Sequence, residues 1–507
     1  MKINNTLLTL QNGSDIRGVA IEGVENEHVN LTEAACNRIG QAFAQWISEQ
    51  KESKPSTIRI GIGHDSRISG LILEEAFAKG IESTGAHVIR CGLATTPAMF
   101  MSIIFPQTKF DAAVMLTASH LPYNRNGIKF FNKDGGLEKK DITAILTIAE
   151  EKEIRQVTSI APTGNNCFDI IELYSQYLKN TICKGVKAQD YEHPLAGLKI
   201  VVDAGNGDAG FFVNNILNPL GADTTGSQFL DPDGNFPNHI PNPENKQAMD
   251  SISRATIQNK ADLGLIFDTD VDRMSAVLHD GTEVNRDSII AMISAILAPE
   301  YPGSTIITDS VTSDRLTYFL EKILGMQHLR YMRGYKNVIN KCKELNKNGI
   351  ISPLAMETSG HGALKDNYYL DDGAFLAVKL LIALAKAAKK GKKIDSLIAD
   401  LPPLYEAHEY RFKINTEDFK DYGKQVLTEF KKRAETAGYK LPKSYEGVRI
   451  SFKSKNIRGW LLLRLSLHDP VMPLNIEGER KGDCAAIVAV VKDLLTGFDK
   501  LDMTVLS

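Results

Sequence analysis

The chain has 507 residues, of which 43% are hydrophobic and 24% are charged, and its formal net charge is -3. Hydrophobic cores stop growing at about 250–300 residues, so this length predicts three or four domains, and the composition is that of a globular protein rather than a disordered one. The charge balance argues against a chain built to bind nucleic acid or an anionic membrane, because both need a basic excess.

Strand-like and helix-like segments alternate over the first four hundred residues. Residues 57–63 (TIRIGIG) read as a strand, 71–85 as an amphipathic helix and 87–91 as another strand. The same alternation recurs around 198–207, 261–270 and 304–310. Short apolar strands separated by helices of about ten to fifteen residues predict a mainly parallel sheet with helices on both faces. Ligands bind at the carboxyl ends of strands in such sheets, so functional residues are expected in the loops that follow strands.

The first such loop is TASHLPYNRNGIKFF, residues 117–131, which follows the apolar segment 111–116. A hydroxyl at the end of a buried strand is well placed to act as a nucleophile, which makes Ser119 a candidate. A strand that ends in a serine-containing turn is the structural alternative. Phosphoryl transfer depends mainly on positioning and charge neutralisation, so it needs no Ser-His-Asp triad. His120 and Lys129 stand where they could stabilise phosphate oxygens or relay a proton.

The second loop is FDTDVDR, residues 267–273. Asp268, Asp270 and Asp272 follow an apolar run, and alternate residues of an extended segment project on the same side. Three carboxylates held that close raise one another's pKa unless a cation neutralises them. An all-oxygen ligand set suits a hard cation, Mg²⁺ before a transition metal. The segment therefore predicts a magnesium site, with an acidic surface turn as the alternative.

Two further loops carry weaker signals. METSGHG, residues 356–362, places Glu357 and Ser359 two residues apart, where a carboxylate and a hydroxyl can hold neighbouring sugar hydroxyls. RLSLHDP, residues 464–470, places Arg464 and Ser466 on one face of a strand, which suits a phosphate clamp. A structured turn and an edge strand explain these two loops equally well when each is taken alone.

The chain changes character after about residue 403. A helix near 416–438 is followed by strand-like segments with short turns, which predicts a separate α+β domain with an antiparallel sheet. Before it, the Lys-rich run 386–393 allows two interpretations. It could form a phosphate-binding patch, but a solvated helix end is favoured because cations suit a helix carboxyl terminus.

Taken together, the four loops resemble those of the α-D-phosphohexomutase family, which includes phosphoglucomutases, phosphomannomutases and phosphoglucosamine mutases. The resemblance covers nearly the whole chain, with shorter matches at SDIRG (14–18), GHDSRISG (63–70), DPDGNFPNHIPNPE (231–244) and GYKNVI (334–339). It implies an α/β protein of four domains around a central cleft: three similar α/β domains with mixed sheets and a smaller α+β C-terminal domain. The expected boundaries are 1–160 for the phosphoserine domain, 161–284 for metal binding, 285–402 for sugar binding and 403–507 for phosphate binding.

The resemblance also implies a reaction and a role for each loop. Phospho-Ser119 would give its phosphoryl group to a hexose phosphate, the bisphosphate would turn over, and its other phosphate would return to Ser119. The implied site residues are Ser119, Lys129, His120 and Arg17 for catalysis, Asp268, Asp270, Asp272 and Ser119 for the metal, Glu357, Ser359 and His361 for the sugar, and Arg464, Ser466, His468, Arg273 and Lys336 for phosphate.

The same resemblance sets the expected ligands. The cofactor is expected to be Mg²⁺, with a hexose 1,6-bisphosphate as activator, and the substrate a glucose or mannose phosphate. Neither a nucleic-acid nor a membrane partner is expected, and the protein is predicted to be a monomer or a homodimer. The most apolar run, 289–298, is about half of the ~20 residues that a membrane span needs. Scattered cysteines without a C-x-x-C pair and the lack of a secretory apolar segment predict a cytoplasmic location.

The fourth loop departs from the family pattern, because Leu467, His468 and Asp469 stand where Asn, Thr and Glu are usual. His468 is expected to take over the hydrogen bond of the missing threonine. Three alternatives stay open: a phosphoglucosamine mutase, a weakly catalytic sugar-phosphate-binding relative with an altered phosphate loop, and a metal-dependent phosphatase. The phosphatase is disfavoured because the acidic segment lacks the Thr of the usual DxDxT signature and Ser119 offers a better acceptor.

Overall fold

The computed structural model of the protein describes residues 6–151, 166–466 and 469–506. The chain divides into two compact units. The first unit comprises Met1–Asn285, Ser359–Gly362 and Asn367–Ile394, and the second comprises Arg286–Thr358, Ala363–Asp366 and Asp395–Ser507.

The first α/β region lies within residues 6–151. Its elements are β1 (Gln11–Asn12), β2 (Asp15–Val19), α1 (Glu33–Gln50), β3 (Arg59–His64), α2 (Gly70–Glu82), β4 (His87–Leu93), α3 (Thr96–Ile104), β5 (Ala112–Leu116), β6 (Arg125–Asn132), β7 (Gly135–Gly136) and α4 (Lys139–Glu151). The strand order is β1-β2-β6-β5-β3-β4, with β7 paired to β6. β3 is parallel to β4 and β5, whereas β6 is antiparallel to β5 and β2, so the sheet is mixed.

The core of this region explains why its sequence forms these elements. β5 is apolar throughout and every residue in it is buried, as in a strand that is covered on both faces. α1 and α2 cross closely, because a Cβ on Gly80 would lie 2.1 Å from the backbone oxygen of Asn37. The rings of Phe43 and Phe130, with centroids 4.8 Å apart, pack between the helices and the sheet.

Residues 166–285 add a second α/β region to the first unit. Its elements are α5 (Ile170–Val186), β8 (Ile200–Asp203), α6 (Lys246–Gln258), β9 (Leu263–Phe267), β10 (Met274–Leu278) and β11 (Glu283–Val284). The strand order is β11-β10-β9-β8, with β8 parallel to β9 and the other neighbours antiparallel. β9 and β10 are buried along their whole lengths, so the segment 268–273 between them is held by two core strands.

Residues 286–394 form a third α/β region. Its elements are α7 (Arg286–Leu297), β12 (Thr305–Thr308), α8 (Asp314–Tyr318), β13 (Gln327–Arg330), α9 (Tyr335–Lys347), β14 (Leu354–Met356), β15 (Gly362–Leu364), β16 (Leu370–Asp371) and α10 (Gly373–Ala388). In the second unit, β12 pairs in parallel with both β13 and β14. In the first unit, α10 begins at the N-cap residue Asp372, whose side chain accepts from the Phe375 N–H.

The last region has a different architecture. Its elements are β17 (Glu406–Ile414), α11 (Phe419–Thr436), β18 (Val448–Lys453), β19 (Arg458–Leu463), β20 (Val471–Gly478), α12 (Asp483–Leu494) and β21 (Leu501–Asp502). The strand order is β18-β19-β20-β17-β21 and every pair is antiparallel. Three α/β regions are thus followed by an α+β region, as the sequence predicts. Among the described residues, no helix combines the length and the apolar character that crossing a membrane requires.

Candidate active site

Ser119 stands just beyond the carboxyl end of β5, in a backbone conformation that L-residues rarely adopt. Its φ is +52°, and its side chain is almost fully buried. The Ser119 N–H donates to the hydroxyl of Thr117 at 2.8 Å. A left-handed non-glycine residue persists only where the surroundings hold it, and such strain is concentrated at functional sites.

Arg67 holds the loop in this conformation. Its guanidinium is buried and donates to the main-chain oxygens of Leu121 and Pro122 at 2.6 and 2.7 Å, and also to that of Ser119. The Asp65 carboxylate balances its charge, with 3.2 Å between Arg67 Nε and Asp65 Oδ2. Carbonyl groups in a buried loop need donors, and one arginine supplies several of them. The sequence marked 63–70 as a minor match without giving Arg67 a role.

The three predicted aspartates converge at the turn between β9 and β10. One carboxylate oxygen from each of Asp268, Asp270 and Asp272 lies within 4.8 Å of the others, and all three residues are buried. Val271 has a φ of +64°, which is unusual for a β-branched residue and is held by the turn. Burial raises the pKa of Asp268, and the charges of Asp272 and Asp270 raise it further. The interpretation of an exposed acidic turn is therefore wrong.

These carboxylates fit a hard cation. The Lys129 Nζ lies 2.7 Å from an Asp270 oxygen and 2.5 Å from an Asp272 oxygen, so a positive charge already sits against both. The second oxygens of Asp270 and Asp272 are buried and accept no hydrogen bond from the residues that the structure describes. Burial would raise the pKa of Asp272, but Lys129 together with His361 and Arg273 lowers it. Buried oxygens without donors are suited to a metal ion.

Ser119 and the acidic loop meet directly, although 149 residues separate Ser119 from Asp268 in the sequence. The Ser119 hydroxyl donates to Asp268 Oδ2 at 2.8 Å. Arg273 is 1% exposed and donates from Nη2 to Ser119 Oγ at 3.0 Å and from Nε to Asp268 Oδ2 at 3.0 Å. The hydroxyl is therefore fixed between a carboxylate and a guanidinium, which suits a group that gives and receives a phosphoryl group.

His120 and Arg17 also lie at this loop, in different ways. His120 Nδ1 is 3.3 Å from Ser119 Oγ and accepts from Arg273 Nη2 at 2.5 Å. Burial lowers the pKa of His120 to about 2, and the positive charges of Arg273 and Arg17 contribute, so the ring is neutral near pH 7. Because Nδ1 accepts, the ring proton is on Nε2 and can be donated. The Arg17 guanidinium donates from Nη1 to the main-chain oxygen of Ala118 at 3.1 Å.

His361 joins the cluster through a carboxylate that the sequence did not single out. His361 Nδ1 lies 2.5 Å from Asp371 Oδ2 and 3.8 Å from Asp272 Oδ1. Burial disfavours the imidazolium, but Asp371 and Asp272 outweigh it and raise the pKa of His361 to about 9. Ser359 belongs to the same unit and is buried. In the sequence, Asp371 belongs to the acidic pair Asp371–Asp372, which directly precedes a helix. Capping of that helix by Asp372 would be enough to explain the pair, so it did not mark a site.

The remaining predicted residues lie in the second unit. Glu357 is buried, and its Oε1 accepts a hydrogen bond from the Gly334 N–H at 2.7 Å. Gly334 is the N-cap residue of α9, and Lys336 lies in the first turn of that helix. Arg464 stands just beyond β19, and its Nε is buried without a hydrogen-bond acceptor among the described residues.

Two neighbours complete the surroundings of Arg464. Burial lowers the pKa of Arg464, and the positive charge of Arg333 lowers it further. Ser466 Oγ accepts from the Asp469 N–H at 3.2 Å. The predicted ligand His468 lies outside the described residues. Arg333, next to the match at 334–339, was not singled out in the sequence.

Comparisons with known proteins agree with the family resemblance of the sequence. Residues 9–156, 172–281 and 285–405 match the family descriptions "Phosphoglucomutase/phosphomannomutase, alpha/beta/alpha domain" I, II and III respectively. A phosphomannomutase/phosphoglucomutase of Pseudomonas putida is 30% identical over 482 residues, covering 95% of this chain and 94% of the relative. A phosphoglucosamine mutase of Lactobacillus johnsonii is 30% identical over 396 residues, covering 76% and 80%.

Solved structures share the fold. A phosphoglucomutase/phosphomannomutase family protein of Burkholderia thailandensis has a TM-score of 0.77 at 24% identity, covering 97% of this chain and 98% of that one. Parafusin, a phosphoglucomutase of Paramecium, has a TM-score of 0.71 at 16% identity, covering 98% and 96%. At these identities the likeness concerns the fold alone.

Proposed function

The chain belongs to the phosphoglucomutase/phosphomannomutase family and is a phosphohexomutase, and we propose that it moves the phosphoryl group of a glucose or mannose phosphate between O1 and O6 through phospho-Ser119. One observation carries the proposal. The Ser119 hydroxyl is held 2.8 Å from Asp268 Oδ2 and 3.0 Å from Arg273 Nη2, beside the acidic loop. Family membership implies a hexose phosphate as the substrate, and a hexose 1,6-bisphosphate is the proposed intermediate and activator.

The proposed reaction consists of two transfers in opposite directions. In the first, the bond between phosphorus and Ser119 Oγ breaks as a bond forms to the free hydroxyl oxygen of the hexose phosphate, and the hydroxyl proton ends on Ser119 Oγ. The bisphosphate then turns over. In the second transfer, the bond between its other phosphorus and the sugar oxygen breaks as a bond forms to Ser119 Oγ, and the serine proton ends on that sugar oxygen. The hydroxyl is buried and its rotation is restrained by two partners, so little reorganisation is needed before each transfer.

The residues around Ser119 have separable proposed roles. Arg273 contacts the serine oxygen directly, so its guanidinium is placed to pair with phosphoryl oxygens. His120 is neutral and carries its proton on Nε2, which favours hydrogen-bond donation over general-base catalysis. Lys129 adds a positive charge on the other side of the carboxylates and remains the candidate for proton transfer. Arg17 supports the loop backbone.

The acidic loop is the proposed Mg²⁺ site. Asp268, Asp270 and Asp272, together with an oxygen of phospho-Ser119, would hold the ion, which would neutralise charge on the transferring phosphoryl group. The carboxylate oxygens of Asp270 and Asp272 that accept no hydrogen bond from the described part of the chain support this assignment. A set of oxygen ligands without sulfur favours Mg²⁺ over softer metals.

Substrate recognition is proposed for the loops at 356–362 and 464–470. Glu357, Ser359 and His361 would bind sugar hydroxyls. Arg464, Ser466, His468 and Lys336 would bind the phosphate that is not reacting. The buried Nε of Arg464, which has no acceptor among the described residues, supports an anionic ligand there.

Phosphate mapping tests the proposal. The protein is incubated with glucose 1,6-bisphosphate, digested and analysed by mass spectrometry, and Ser119 is expected to carry the phosphoryl group. Ser119→Ala should lose that label and nearly all mutase activity. Ser294→Ala removes a buried serine of α7 and should retain both the label and the activity. A label on another serine, with Ser119→Ala still active, would contradict the mechanism.

A substrate panel tests the sugar assignment. Activity is compared on the 1-phosphates of glucose, mannose, glucosamine and N-acetylglucosamine, each with its 1,6-bisphosphate. Glucose and mannose phosphates are expected to give the highest kcat/KM. A preference of tenfold or more for glucosamine phosphate would favour the phosphoglucosamine mutase alternative, to which the Lactobacillus johnsonii relative belongs.

A further inference from the structure

A cavity of about 260 Å³ opens in the first unit, between the end of α10 and the segment that precedes β9. Its apolar lining residues are Leu198, Ile257, Ala261, Leu384, Ala388 and Ile394. Three exposed lysines, Lys260, Lys392 and Lys393, form a cationic rim together with His279 and Asp262. The cavity therefore combines a cationic rim with an apolar lining.

The charges of this rim do not balance. Lys393 Nζ donates to His279 Nε2 at 2.5 Å, so this lysine and the imidazole are held together on one side. Asp262 is the acidic residue of the lining, and its Oδ2 already accepts from the Lys199 N–H at 2.8 Å. The lining thus carries three ammonium groups and one carboxylate, which gives it a net positive charge. Such a lining favours an anionic ligand.

The cavity is remote from Ser119 and the acidic loop. Ala261 and Asp262 precede β9, whereas Asp268 follows it, and a five-residue strand spans about 17 Å. Leu384 and Ala388 lie near the end of α10, whereas Asp372 caps its beginning, and a 16-residue helix spans about 24 Å. The cavity and the acidic loop are therefore at opposite ends of the same two elements, and one small molecule could not contact both.

We propose that this cavity binds a small phosphomonoester that carries an apolar body. Lysine ammonium groups bind phosphate as point charges, and apolar lining residues add affinity for the organic part. The lysines of the run 386–393 have different surroundings in the structure. Lys389 donates to the main-chain oxygens of Val186 and Lys187, whereas Lys392 and Lys393 line the cavity. The phosphate-patch interpretation thus applies to the end of the run only.

Hydrogen–deuterium exchange of the full chain with 1-naphthyl phosphate locates the site. Protection is expected in peptides covering 257–262 and 384–394. Because this probe can also occupy the phosphate loop of the mutase, the site is identified by the protected peptides and not by total binding. Inorganic phosphate, which lacks the apolar body, and 1-naphthol, which lacks the charge, should each protect these peptides less at equal concentration.

Matched lysine variants test the charge requirement. The double variant Lys392→Gln/Lys393→Gln should need a roughly tenfold higher concentration of 1-naphthyl phosphate to reach the same protection. Lys386→Gln/Lys390→Gln removes the same charge from the same run outside the lining and should leave the protection unchanged. Both variants should keep wild-type mutase activity, which verifies folding. Absence of protection at 257–262 and 384–394, or equal weakening in the two variants, would overturn the proposal.

Discussion

Replacing Arg273 with lysine tests the central contact of the site. The Arg273 side chain donates to four partners at once: Asp268 Oδ2 and Ser119 Oγ at 3.0 Å each, His120 Nδ1 at 2.5 Å and Asn242 Oδ1 at 3.3 Å. Lysine keeps the charge but has no planar fork, so its single ammonium cannot reproduce this geometry. The substitution therefore tests whether the site needs the donor geometry of arginine or only a positive charge.

The size of the expected effect follows from these contacts. Hydrogen bonds that involve charged groups contribute about 1.5–3 kcal/mol each, and Arg273→Lys should lose two of them in a buried site. A loss of about 3–5 kcal/mol in the transition state corresponds to a roughly 10²- to 10⁴-fold fall in kcat/KM. The substrate KM should change less than kcat, because Arg273 contacts Ser119, the serine proposed to react.

A coupled assay of glucose 6-phosphate formation measures this effect. Thermal unfolding verifies that the variant is folded, and peptide mapping measures how fast Ser119 is phosphorylated by glucose 1,6-bisphosphate. Arg254→Lys, on the exposed face of α6, is the matched control and should be unchanged. A folded Arg273→Lys enzyme within threefold of wild type in kcat/KM would refute the role assigned to the guanidinium.

Two further predictions concern the carboxylates. Asp270→Asn should weaken Mg²⁺ binding at least tenfold by calorimetry, because a buried anionic ligand becomes neutral. The control Asp280→Asn, in an exposed turn, should leave Mg²⁺ binding unchanged. Equal Mg²⁺ affinities of the two variants would argue against the metal assignment. In metal-free buffer, the unfolding free energy should fall between pH 6.5 and about 9, because the folded protein stabilises the imidazolium of His361 and raises its pKa to about 9. Asp371→Asn should flatten that fall in urea denaturation, and identical pH profiles would show that the pair does not titrate as described.

The sequence was most informative where one short segment holds the chemistry. Asp268, Asp270 and Asp272 alternate directly after an apolar strand, so their convergence could be predicted from local geometry. Ser119 was predicted from its place at a strand end, but the left-handed backbone that presents it was not. Helix limits were predicted to within three residues, as in α2, expected at 71–85 and observed at Gly70–Glu82.

The contacts that residues make with distant partners could not be predicted from the sequence. Arg67 reaches the Ser119 oxygen across 52 residues of sequence, and Thr96 donates to Asp270 Oδ2 across 174. Such pairs are set by how the sheets and helices assemble, and a single sequence has no periodicity that reports them. Asp371 escaped notice for the same reason, since only the fold brings it to His361.

The charges of the site link phosphorylation to cation binding. With every carboxylate ionised, the four acidic groups Asp268, Asp270, Asp272 and Asp371 face three cations, Lys129, Arg273 and His361, which leaves one negative charge without compensation among these groups. Phosphorylation of Ser119 adds about 1.5 to 2 further negative charges beside Asp268, where burial makes unpaired charge costly. A divalent cation on the carboxylates would reverse this balance and favour the phosphoryl group. Since coupling between two bound groups is reciprocal, phospho-Ser119 would in turn raise the affinity of the same carboxylates for the cation. In the proposed mechanism, transfer to a sugar hydroxyl would begin from the state that holds both.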